Sequence, residues 1–109
     1  MSISEVKNLL LNYQYYKVLL LALESSDEPV PDDYFLVDFY KANLDYIYSL
    51  IVSIDDPLIQ AIFRYKYIQC LTWEQVADIT FCSLRTVYYL HNKGLVFLSN
   101  KIQKIPYIK

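Results

Sequence analysis

Apolar side chains recur at alternating steps of three and four along two long stretches of the chain, a period that marks helices. In the first stretch they are Val6, Leu9, Tyr13, Tyr16, Leu20 and Leu23. Ser2 and Glu5 have the spacing of a capping box, so a helix is predicted from near Ile3 to about Glu24. "SSDEPVPDD", residues 25–33, gathers serine, proline and acids and reads as a loop. The second stripe, Val37, Tyr40, Leu44, Ile47, Ile51 and Ile54, predicts a helix from about Asp33 to Ser53. Two stripes of similar length joined by a loop predict an antiparallel helical hairpin. Neither has enough heptads to stand as a free coiled coil, so the hairpin needs something to pack against.

"IDDPL" restarts the pattern. Asp56 suits an N-cap and Pro57 the first helical turn, where a missing N–H costs nothing. A third helix is predicted to about Ile68, with Leu58, Ile62, Phe63 and either Tyr65 or Tyr67 facing inward. Thr72 with Gln75 forms a second capping-box pair and opens a fourth helix through Ile79. "TFC", residues 80–82, breaks it, and Ser83 caps a fifth helix reaching at least Ser99. The tail "KIQKIPYIK" ends any helix before Pro106. One glycine and four prolines leave few turn-formers for an all-β fold. The expected fold is all-α: a hairpin over residues 1–54, for dimerisation or partner binding, then a three-helix unit over residues 55–109.

Composition removes several classes. Hydrophobic residues make up 55% of the chain, which argues against disorder. The longest apolar run, around Val18 to Leu23, is far too short to cross a bilayer. The N-terminus opens on serine and glutamate instead of a basic cluster, so no signal peptide is read and a cytoplasmic location is expected. Cys70 and Cys82 form no CxxC and the chain has a single histidine, His91, so neither a disulfide nor a metal site is expected. Asp32, Asp33 and Asp38 suit the dipole at a helix start better than a cation. With no glycine-rich phosphate loop, no nucleophile-and-base pair and no carboxylates paired in a cleft, no catalytic residue or cofactor is read, and the chain is not expected to be an enzyme.

The net charge of −2 hides an asymmetry. Residues 1–54 carry three lysines against eight acids, net −5, and residues 55–109 carry seven cations against four acids, net +3. Such a split fits one end for protein and one for nucleic acid, and equally two ordinary solvated faces.

The spacing from Thr72 to Leu90 fits a helix-turn-helix. Ala77 supplies the small residue where two helices cross, and Val76, Cys82, Val87 and Leu90 supply the inner apolar positions. Leu84, Arg85, Tyr88, Tyr89, Asn92 and Lys93 are left on the outer face, with Ser83 and Thr86 at its start. In such a motif the N-terminal part of the second helix enters the major groove. Arg85 suits a guanine edge, Tyr89 and Asn92 a base or phosphate, and Lys93 a phosphate. The helix start at Ser83 offers backbone N–H groups to a phosphate. Trp73 reads as a core anchor at the corner of helices three and four, Arg64 as a scaffold ion pair with Glu74 or Asp78, and His91 as structural. The twelve tyrosines suit helix surfaces, ring buried and hydroxyl wet, or a protein interface.

"FRYKYIQCLTWEQVADITFCSLRTVYYLHNKGL" resembles region 4 of sigma factors and, more closely, small phage regulators of the ArpU/RinA type. The shared pattern is Arg64-Tyr65, Tyr67-Ile68, Leu71-Thr72-Trp73-Glu74, Val76-Ala77, Ser83, Thr86-Val87, and Leu90 through Gly94-Leu95, within about residues 57–98. The resemblance implies a sigma-region-4-like fold for the second half and a DNA-binding activator of late phage genes. Two residues depart from it. Phe81 occupies the turn position where such motifs have glycine or a small polar residue, which predicts either a different turn or a ring packed on the hairpin. Cys70 stands where glycine often ends the third helix.

The tyrosine-rich groove face makes few phosphate contacts, so a monomer is expected to bind DNA weakly. Pairing through the hairpin stripes, at residues such as Leu20 and Ile47, would add two weak contacts in a homodimer on double-stranded DNA. The rival expectation is a protein-binding module that kept the motif without DNA and holds RNA polymerase or another regulator.

Overall fold

The computed structural model describes residues 1–25 and 31–102. These form five α-helices and one π-helical turn, with no strand among the described residues, so the chain is all-α. The expected loop falls largely in residues 26–30 and the expected tail in residues 103–109, both outside the described residues.

α1 (Ile3–Glu24) begins with the reciprocal capping box: the Ser2 N–H donates to the Glu5 carboxylate at 3.1 Å, and the Glu5 N–H donates to Ser2 Oγ at 3.2 Å. α2 (Pro31–Val52) starts two residues ahead of the expected Asp33. Pro31 therefore belongs to the helix, since proline lacks an N–H that the first turn does not need. α1 and α2 run antiparallel. Tyr16 stacks on Tyr40 at 5.6 Å towards one end, while Val6 and Leu10 cluster with Ile47, Leu50 and Ile51 at the other.

In α3 (Pro57–Phe63) the Asp56 carboxylate accepts the N–H groups of Leu58 and Ile59 at 2.9 and 3.0 Å. The expectation for Leu58 is corrected: it is 40% exposed, and Ile59 is buried in its place. With Ile62 and Phe63 fixed inward, Ile59 lies three and four residues back, directly under both. The helical path continues to Ile68, as expected, but its last turn, Arg64–Ile68, is π-helical. The Gln69 N–H closes that wide turn on the Arg64 carbonyl at 3.0 Å. Cys70, at φ 59°, adopts the left-handed conformation that favours glycine after a helix. α4 (Trp73–Thr80) and α5 (Leu84–Lys101) complete the fold.

The main core joins both halves of the chain. Val6, Leu10, Ile47, Leu50, Ile51 and Ile54 pack with Ile59, Phe63, Tyr67, Leu95, Leu98 and Ile102 in one cluster. A second cluster, Ile62, Val76, Ala77 and Val87, holds α4 and α5 against α3. Between Leu10 and Ile47 no described side chain is buried. The far half of the α1–α2 pair thus projects beyond the core, from helices about 33 Å long at 1.5 Å per residue. No described helix is long and apolar enough to cross a membrane.

Candidate nucleic-acid interface

Local chemistry fixes the angle between α4 and α5. The Thr72–Gln75 capping box starts α4, with the Thr72 N–H donating to Gln75 Oε1 at 2.9 Å and the Gln75 N–H to Thr72 Oγ1 at 3.2 Å. Thr80, expected in the break, is the last residue of α4, and its hydroxyl donates to the Val76 carbonyl at 2.7 Å. Phe81 follows at φ 56° and ψ 34°, and the Cys82 N–H donates to the Ala77 carbonyl at 3.1 Å. That bond ties the turn shut on α4. One residue later the Ser83 hydroxyl accepts the Thr86 N–H at 3.1 Å and starts α5.

The turn corrects both expectations for Phe81. Its backbone is left-handed, the conformation glycine would adopt, and its ring is 96% exposed instead of resting on the hairpin. A residue with Cβ at that φ is strained, so neighbouring bonds and packing hold the turn, not the preference of Phe81.

Inside the motif the expected positions face inward. Val76, Ala77 and Val87 are buried, with Cys82 and Leu90 half-buried against them. Trp73 is half-buried and acts as the expected anchor: its indole meets Tyr88 edge-on at 5.4 Å and His91 at 4.7 Å, with Lys66 Nζ 4.7 Å from its centroid. His91 is buried, stacks on Phe63 at 5.0 Å and hydrogen-bonds through Nε2 to the Tyr67 hydroxyl at 2.5 Å. Burial lowers the His91 pKa to about 4, with the charges of Lys7 and Lys66 adding to the shift, and burial pushes the Tyr67 phenol up. Among the described residues no three His, Cys, Asp or Glu side chains gather as a metal-binding group.

The expected scaffold pair of Arg64 with Glu74 or Asp78 is absent among the described residues. Arg64 is exposed and lines a shallow depression with Asp55, Gln60 and Tyr65. Arg64 opens the π-helical turn that ends the α3 path.

Outside, the structure brings the named residues onto one helix. Ser83, Leu84, Arg85, Thr86, Tyr88, Tyr89, Asn92 and Lys93 are all exposed on α5 or at its cap. The Ser83 hydroxyl also donates to Thr86 Oγ1 at 3.0 Å, so these two hydroxyls serve the cap first. Tyr88 is held by Trp73, and Lys93 Nζ lies 5.4 Å from the centroid of the Tyr89 ring. No acid occurs after Asp78, so α5 carries cations without a single carboxylate. Sequence reasoning missed Ile79 and Phe81, which continue the exposed apolar surface past the start of α5. Phe81 alone carried a signal, a bulky residue at a glycine-like turn.

Compared with protein-family models, curated proteins and solved structures, the chain matches none.

Proposed function

We propose that this chain is a sequence-specific DNA-binding transcriptional regulator of phage or prophage type, acting as a homodimer. The observation that carries the reading is the pair of capped helices, closed by a left-handed turn, whose second member presents an acid-free outer face. In this reading the N-terminal half of α5 lies in the major groove. Arg85 takes a guanine edge, Asn92 an adenine, and Lys93 with the first backbone N–H groups of α5 takes phosphates. So few cations give a weak monomer. Pairing two copies makes the second contact intramolecular and raises avidity without new contacts. Activation of late genes follows from the resemblance to ArpU/RinA-type regulators.

One observation favours a second reading. Phe81, Leu84, Tyr88 and Tyr89 give the same region an apolar and aromatic exposed surface, of the kind that binds protein. In that reading the motif holds RNA polymerase or another regulator without DNA. Titration of the full-length protein against random duplex DNA at two salt concentrations decides between them. Binding that weakens steeply with salt supports the regulator, and no binding at low salt supports the protein-binding module.

A further inference from the structure

Leu84 lies outside the buried core. It is 37% exposed, belongs to neither core cluster, and occupies the first helical position after the Ser83 cap. Tyr89 lies one turn beyond Arg85, is 62% exposed, and has its ring held by Lys93 instead of by the core. In a major groove each of these residues meets a defined set of chemical groups. Guanine presents two acceptors, adenine an acceptor and a donor, cytosine a donor, and thymine an acceptor beside a C5 methyl group. The methyl is the one apolar feature in that set. A leucine set against any other edge would bury a base donor or acceptor with no partner, which is unfavourable.

The same face lacks the side chain that suits cytosine. Carboxylates accept from the cytosine amino group, and the chain has none after Asp78. Charge complementarity therefore points the face at the duplex, and its apolar members select within the duplex.

We propose that Leu84 and the ring of Tyr89 select thymine, by packing on its C5 methyl group, in the half-site that Arg85 anchors. This rests on the DNA-binding reading above and adds the base class read. Thymine differs from deoxyuridine only by that methyl, so one atom group tests the idea.

Full-length protein is used to select its preferred site from a pool of random duplexes, and the selected duplex is remade with deoxyuridine at each thymine in turn. The expected result is about fourfold weaker binding at one or two positions, the value of one buried methyl. Leu84→Ala, checked for unchanged helical content, then loses the distinction between thymine and deoxyuridine at one of those positions and keeps its preference for the guanine. If every deoxyuridine duplex binds like its parent, or Leu84→Ala discriminates at every position where the parent does, methyl reading is overturned while DNA binding stands. If no duplex is retained at low salt, the DNA-binding reading falls and takes this proposal with it.

Discussion

Gly94 lies against the ring of Phe63 so closely that a Cβ built on it would stand 2.5 Å from Phe63 Cζ. The same atom would come 2.9 Å from Ile59 Cγ2. Phe63 is fully buried and has nowhere to turn. The only glycine in the chain thus marks the point where α5 crosses α3. Gly94→Ala should destabilise the fold even though alanine favours a helix by about 1 kcal/mol, because overpacking costs roughly 1–3 kcal/mol. A thermal melt checks it: each kcal/mol of destabilisation lowers Tm by about 4–8 °C in a domain of this size. An unchanged or raised Tm would show that the two helices do not meet there.

The buried pair of Tyr67 and His91 predicts an acid-sensitive fold. His91 has a folded pKa of about 4, below the ordinary value of 6.5, because its neutral form is the one the core accepts. A depressed histidine contributes stability above its unfolded pKa, and that contribution is lost as pH falls through the window from 6.5 to 4. The loss approaches roughly 3 kcal/mol at the acid end. Urea unfolding at pH 7 and pH 4.5 should show it in the parent and much less of it in His91→Gln. Equal acid sensitivity in the two proteins would assign the effect to other groups.

What the sequence made legible was local chemistry. The caps at Ser2, Asp56, Thr72 and Ser83 each act through a neighbour two or three residues away, and all four start a helix. The inner positions Val76, Ala77 and Val87 followed from those helix starts and the 3.6-residue period. Ile59 was hidden because a short helix with apolar residues at both Leu58 and Ile59 has no pattern to choose between them; packing against α5 decides. The π-turn at Arg64–Ile68 was equally hidden, since an inserted residue leaves no compositional mark.

Phe81 predicts a gain in stability. A left-handed residue with Cβ is strained by about 1–2 kcal/mol, and glycine relieves it at some entropic cost in the unfolded chain. Phe81→Gly should therefore raise stability by a net of roughly 0.5–1 kcal/mol. The exposed ring forfeits no packing when removed. Denaturant titration reads this directly, and a destabilised variant would mean that the ring supports the turn after all.

The proposed dimer needs a surface other than the expected stripes. Ile47 is fully buried in the main core and Leu20 is half-buried on the helix pair, so Ile47→Glu would test folding, not pairing. A second stripe remains outside: Leu11, Tyr15 and Val18 on α1, at steps of four and three, with Phe35 and Phe39 on α2. Two hairpins joined by such stripes make a four-helix bundle. Light scattering at micromolar concentration should give a two-chain mass for the parent. Leu11→Glu with Val18→Glu should give a one-chain mass at unchanged helical content. A parent that already runs as a single chain would remove the dimer from the proposed function.

In the DNA-binding reading, Arg85 and Lys93 separate base reading from phosphate binding, because they sit two turns apart on the outer face of α5. Arg85 follows Leu84 at the helix tip, opposite the buried Val87, so Arg85→Ala should leave the fold intact. Removing a bidentate hydrogen-bond pair to guanine costs about 1–3 kcal/mol on the preferred site and relaxes selection at one base pair. Lys93 lies beside the Tyr89 ring, and in the same reading its flexible ammonium suits a phosphate. Lys93→Ala should weaken all duplexes alike and reduce the salt slope by about one. The protein-binding module predicts the reverse: Tyr88→Ala and Tyr89→Ala weaken a protein complex, and neither cation matters to DNA. Folded Arg85→Ala and Lys93→Ala proteins that bind duplex DNA as the parent does would take α5 out of the groove.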